Sequence, residues 1–278
     1  MRRYLLRARL FLAAAVLALS GCTPSVVHLD PLSVNGRDGG GRTPTYPALM
    51  RIAAAARAGG DFANAVALYR RAASVGPQGN PAPYVGLGDT LMQMGKVNEA
   101  ILAYNSALAR DPHAIEGGIG LGRAYLLTGR PELAFTALSR AYAGAPKDPR
   151  VFLLLGVAND ETGRHKVARS WYLGGLKIAP RNPNLTIDLA LSRAVSGNTT
   201  GAIETLRPLA LAPGASPAER QTLSLIYGLA GKDAEAARLG RLDLTDAEVK
   251  HNLAYFASLR ALSPQARADA ILSVRKVF

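Results

Sequence analysis

One cysteine, one tryptophan and an aromatic content of 6% leave this 278-residue chain little material for thiol chemistry or ring stacking. A single cysteine, Cys22, cannot close an intrachain disulfide, so no compartment can be read from cysteine pairing. The four histidines, His28, His113, His165 and His251, are scattered, and none stands at metal-ligand spacing from a second ligand. HExxH, GxSxG and the phosphate-binding loop are missing. Gly117, Gly118, Gly120 and Gly122 lack a preceding strand and do not follow the GxGxxG spacing, so they read as small residues at helix contacts. No metal or cofactor is expected, and no group of residues supports a catalytic role. The expectation is a protein that is not an enzyme.

What is abundant points to helices. Hydrophobic residues make up 49% of the chain, enough to build a core, and alanine and leucine dominate over strand-forming types. The formal charge is +13. Removing residues 1–21 takes away Arg2, Arg3, Arg7 and Arg9 and leaves 29 basic against 20 acidic side chains. Such a surplus suits acidic protein or anionic lipid, or solvated helix faces. No dense basic cluster with interleaved aromatics occurs, so no nucleic acid is expected as a partner.

Residues 1–21 have the layout of a lipoprotein signal peptide. An arginine-rich start precedes ten uncharged apolar residues, Leu10 to Leu19. That run is about half what a spanning helix needs and has the length of a signal-peptide core. Leu19-Ser20-Gly21-Cys22 follows and resembles the lipobox of bacterial lipoproteins. The resemblance implies that Cys22 is the lipidation site and membrane anchor, with cleavage before it. An ordinary signal peptide beside a stray cysteine is the other reading. Thr23, not aspartate, follows the cysteine, which by the usual sorting rule implies the outer membrane, with the body in the periplasm. Residues 22–45, rich in proline and glycine, read as a flexible tether.

From residue 46 the chain repeats itself. Gly60, Gly95, Gly129, Gly163, Gly197 and Gly231 are spaced by 35, 34, 34, 34 and 34 residues. Ala65, Ala100, Ala134, Ala168, Ala202 and Ala236 keep the same spacings, and Pro77, Pro112, Pro146 and Pro180 close successive units. Small, aromatic and proline positions on a 34-residue period resemble the tetratricopeptide repeat (TPR). The fold class expected is all-α, a TPR solenoid: a right-handed superhelix of antiparallel helix pairs. About six repeats fill residues 46–262, the sixth degenerate for want of its closing proline, and residues 263–278 remain as a C-terminal tail. Interior glycine costs a helix about 1 kcal/mol relative to alanine. The four glycines of residues 117–122 therefore predict the third repeat as the softest.

The TPR resemblance also implies a groove lined by fixed first-helix positions. Here these are Val85, Asp89, Met92, Ile119, Arg123, Leu126, Leu127, Leu153, Leu154, Val157, Asp160, Ile187, Leu191 and Val195. An apolar stripe of this kind suits a docked amphipathic helix or extended segment, and each position could instead pack between helices. The Lys/Asn clamp of chaperone-binding TPR domains is absent.

The segment from Arg220 to Leu262, with its RQ–L–YGLAG and DL…V–NLAY–LR blocks, is more specific. With the lipobox it resembles the TPR lipoprotein (TadD type) of the tight-adherence, or Flp, pilus system. That resemblance implies a non-catalytic outer-membrane scaffold of pilus assembly and secretion, pilotin-like, with the outer-membrane secretin and other pilus-assembly components as protein partners. A TPR lipoprotein serving polysaccharide export or peptidoglycan synthesis is the alternative.

Overall fold

The computed structural model describes residues 44–275, the side chains as far as Leu272, and those residues form fourteen helices with no strand among them. The signal segment, Cys22 and nearly all of the tether lie outside the described residues. Six helical pairs follow one another. They are α1 (Tyr46–Ala58) with α2 (Phe62–Val75), α3 (Ala82–Gln93) with α4 (Val97–Arg110), and α5 (Ile115–Leu127) with α6 (Pro131–Gly144). Then come α7 (Pro149–Glu161) with α8 (His165–Ile178), α9 (Pro183–Val195) with α10 (Thr199–Ala210), and α11 (Pro217–Leu229) with α12 (Asp233–Gly240). Two further helices close the array, α13 (Asp246–Arg260) and α14 (Pro264–Arg275).

The repeating glycine makes the turn inside each pair. All six have positive φ, from 69° to 88°, a conformation that a side chain disfavours. Each turn closes with the same two backbone bonds. In the second pair the Gly95 N–H donates to the Met92 carbonyl and the Lys96 N–H to the Leu91 carbonyl. This is the Schellman arrangement, and it satisfies carbonyls that the helix end leaves open. The period seen in the sequence is therefore a period of helix stops.

Within each pair a small residue faces a large one. Gly88 sits against Tyr104, Gly122 against Leu138 and Gly156 against Tyr172; a Cβ at those glycines would fall 2.2 to 2.5 Å from the facing side chain. The same rings serve the next unit. A Cβ on Gly86 would strike Tyr69, and one on Gly120 would strike Tyr104, at 2.3 and 2.4 Å. Tyr104 is thus clamped between two glycines of successive first helices. Tyr69, Tyr104, Leu138, Tyr172 and Leu206 occupy one register of the repeat, and all are buried. In the sixth unit that register holds Gly240, at the end of an α12 of only eight residues. Val249 of α13 approaches there instead, and Phe256 of α13 packs on Gly228. The sixth unit thus also lacks the large residue of this register, and α13 supplies the bulk.

The first helices α1, α3, α5, α7, α9 and α11 each touch the next in their row, whereas no two second helices of successive pairs touch among the described residues. First helices therefore line the inner side of the stack. The cap is fastened by charge. Arg220 of α11 pairs with Asp243, its Nε donating at 2.8 Å, and Gln221 donates to the same carboxylate. Arg260 of α13 reaches Asp233 at 2.8 Å.

Residues 263–278, read as a tail, include α14. This helix turns back and packs against α13, α7 and α9 and against no second helix. It lies on the inner side.

Candidate partner-binding face

The face that could receive a partner is the row of first helices, and its two halves differ. On α1, α3 and α5 it is open and polar at its centre. Asp89 accepts a hydrogen bond from Tyr104 OH at 2.7 Å and one from Arg57 Nη1 at 3.0 Å. Arg123 stands 3.9 Å away on α5. Burial, and then donation to Asp89, holds the Tyr104 hydroxyl far above the usual tyrosine range, so it remains a donor. Burial also raises Tyr69, opposed by Arg57. Around this node Val85 and Met92 are half-buried, while Arg123 and Leu127 are exposed.

On α7 and α9 the face is apolar and partly covered. Leu153, Leu154, Val157 and Ile187 are half-buried, and Leu191 and Val195 are buried. The last two belong to one apolar cluster with Ala268, Ile271 and Leu272 of α14 and with Ile226, Phe256 and Leu259. Asp160 is buried, 1% exposed. Its carboxylate accepts hydrogen bonds from Tyr172 OH and Ser192 Oγ, each at 2.8 Å, and lies 2.9 Å from His165 Nδ1. Asp188 on α9 is buried as well.

Five of the fourteen expected groove residues are therefore not solvent-facing. Ile119 and Leu126 join the cluster of Leu138, Ala141, Val151 and Leu155 between the third and fourth units. Leu191 and Val195 are enclosed with α14, and Asp160 is enclosed by its hydrogen-bond donors. Leu126 and Leu127 are one residue apart, about 100° around the helix. Only Leu127 points outward.

The sequence reading missed Arg57 and Ser192. Extending the 34-residue register would have found Arg57, because Arg57, Met92, Leu126 and Asp160 occupy one position of successive units. Trp171 meets Tyr142 and Phe152 edge-on at 5.2 and 5.8 Å. The described residues contain no His/Cys/Asp/Glu group able to hold a metal, and no helix long and apolar enough to cross a membrane.

Family models of the tetratricopeptide repeat match residues 56–113, 85–149 and 120–183. The fold is a TPR solenoid. Similar solved structures include TTC0263, a thermophilic TPR protein of Thermus thermophilus, at 21% identity and TM-score 0.53, covering 66% of this chain and 98% of that one. MamA from Desulfovibrio magneticus is 19% identical with TM-score 0.54, covering 59% and 92%. PilF of Pseudomonas aeruginosa is 18% identical with TM-score 0.62, covering 76% and 97%. At these identities the likeness is one of fold. No curated protein matches the sequence. TPR arrays are protein-interaction scaffolds, because stacked pairs present a long concave inner surface.

Proposed function

We propose that this TPR protein is a non-catalytic scaffold anchored by lipid on Cys22 to the outer membrane, with its body in the periplasm, and that it serves tight-adherence (Flp) pilus assembly. Its inner face holds a segment of a pilus-machinery protein, such as the secretin or a partner beside it. The observation that carries this reading is the pairing of Leu19-Ser20-Gly21-Cys22 with the Arg220 to Leu262 blocks at opposite ends of one TPR chain. Several acyl chains on one residue make a stable anchor, each buried methylene contributing about 0.8 kcal/mol. The open half of the inner face, with Val85, Met92 and Leu127 around the Arg57–Asp89–Arg123 charges, supplies the apolar contacts and polar register that a docked segment needs.

Cys22→Ala should block processing and release the body from the membrane fraction. An unmodified thiol on mature native protein, seen by mass spectrometry, would remove the anchor. Crosslinking from Leu127 in the native envelope should capture secretin or another pilus component. Capture of polysaccharide-export or peptidoglycan-synthesis proteins instead would reassign the machine and keep the scaffold.

A further inference from the structure

Helix α14 is placed unlike every other helix of the array. The twelve helices of the six pairs each pack on their sequence neighbours, and α13 continues the stack by covering α11 and α12. α14 does not extend it. After a break at Leu262-Ser263 the chain reverses and lays α14 over α7 and α9, the inner helices of the fourth and fifth units. Its buried side chains are Ala268, Ile271 and Leu272, a stripe at i, i+3 and i+4. This is how an amphipathic helix is held in a groove. Leu191 and Val195 of α9 share one apolar cluster with that stripe, half-buried Ile187 packs against the cluster, and all three belong to the positions that TPR folds present to ligands.

Two features bear on how firmly this seat is held. Arg267 Nε of α14 is buried with no hydrogen-bond partner among the described residues, a local cost to the seated helix. A lone helix of twelve residues is also marginal without its packing partner, so α14 orders only while seated. Charge indicates what could take its place. α14 itself is basic, with Arg267 and Arg275 against one acid, Asp269, and a competitor for its seat would share that balance.

We propose that α14 is an intramolecular occupant of the binding face, displaced when a partner offers a basic amphipathic helix with a small residue and two aliphatic residues at i, i+3 and i+4. This rests on the inner face being the partner site. It adds that the face has two halves, one open and one gated, and that a partner must compete with α14 for the second. An occupant seated in about nine of ten molecules weakens a competitor about tenfold.

The test uses the full chain and, as probe, a fluorescent peptide of residues 262–278 added in trans. Ile271→Asp with Leu272→Asp should leave the repeats folded, and the peptide should bind this variant at least tenfold tighter than the parent. Saturating the parent with peptide should speed hydrogen exchange in α14 alone. Equal affinity for both chains would overturn the proposal, as would exchange rising together across α9 to α13, which would make α14 a permanent cap. Should the double variant fail to fold, a protease site at Leu262-Ser263, cut after folding, gives an independent reading. Release of the α14 fragment on dilution supports displacement, and retention until the body unfolds refutes it. Peptide exchange without any secretin capture would leave this inference standing and remove the pilus reading.

Discussion

Gly122 and Gly117 stand five residues apart on α5, yet a methyl group at each would act oppositely. At Gly122 a Cβ would come 2.4 Å from Leu138 Cγ, in the centre of the pair, whereas at Gly117 the nearest atom is Ala107 Cβ at 3.4 Å, an ordinary contact. Helix propensity favours alanine by about 1 kcal/mol at either site. Overpacking of a filled core costs about 1–3 kcal/mol. Gly122→Ala should therefore lower stability by up to about 2 kcal/mol and Gly117→Ala should raise it by about 0.5 kcal/mol, read from urea midpoints. The neighbouring leucines make a second pair. Leu126→Glu removes about 1.5–3 kcal/mol of burial and puts a charge in the core, so it should melt the third and fourth units. Leu127→Glu should shift the midpoint by less than about 0.5 kcal/mol and, on the reading above, weaken partner capture. A Leu126→Glu chain that melts like the parent would show that side chain to be solvent-facing after all.

Among the elements, α11 to α13 are joined by ion pairs as well as by apolar packing. The hydrogen bond from Arg220 holds the Asp243 carboxyl below the usual carboxylate range. The folded chain keeps Asp243 ionised to lower pH than the unfolded chain does. Its contribution is then full above about pH 4, near the ordinary aspartate value, and disappears as pH falls through the lower folded value. Asp243→Asn should cost on the order of 1–2 kcal/mol at neutral pH, since charge-assisted bonds are stronger than neutral ones. The variant should also show a flatter loss of stability as pH falls below about 4. Thermal melts of both chains across that range would check this, and parallel acid curves would count against it. The pair also accounts for a sequence pattern, since the Arg-Gln of one block and the Asp of the other meet at one carboxylate.

At the scale of the molecule, the array is coupled by residues shared between units. Tyr104 fills the space beside Gly88 in its own unit and beside Gly120 in the next. Tyr104→Ala should speed hydrogen exchange in both α3 and α5 and leave α9 unchanged, because solenoid units couple to their neighbours. Exchange rising evenly along the chain would point to a single cooperative unit instead. The same sharing modifies the expectation of a soft third repeat. The four glycines of α5 are buried, and Tyr104, Leu138 and Ala141 lie close to three of them, so their intrinsic cost is met by close packing that exists only in the stack.

The amino-acid order alone was enough for the helix pairs, their turns and their number. Those features are local: a glycine every 34 residues sets φ where a helix must stop, and a small residue recurs at a fixed offset from a large one. Exposure on the inner face was not local. Whether Leu126 or Leu127 meets solvent depends on a rotation set by packing against α6 and α7, which a mapped repeat position does not resolve. Whether Leu191 and Val195 are open depends on α14, whose residues carry no repeat signal and return across three units to cover them. Periodicity reports contacts between neighbours in a repeating stack, and the chain's reversal onto its own inner face is a contact without a period.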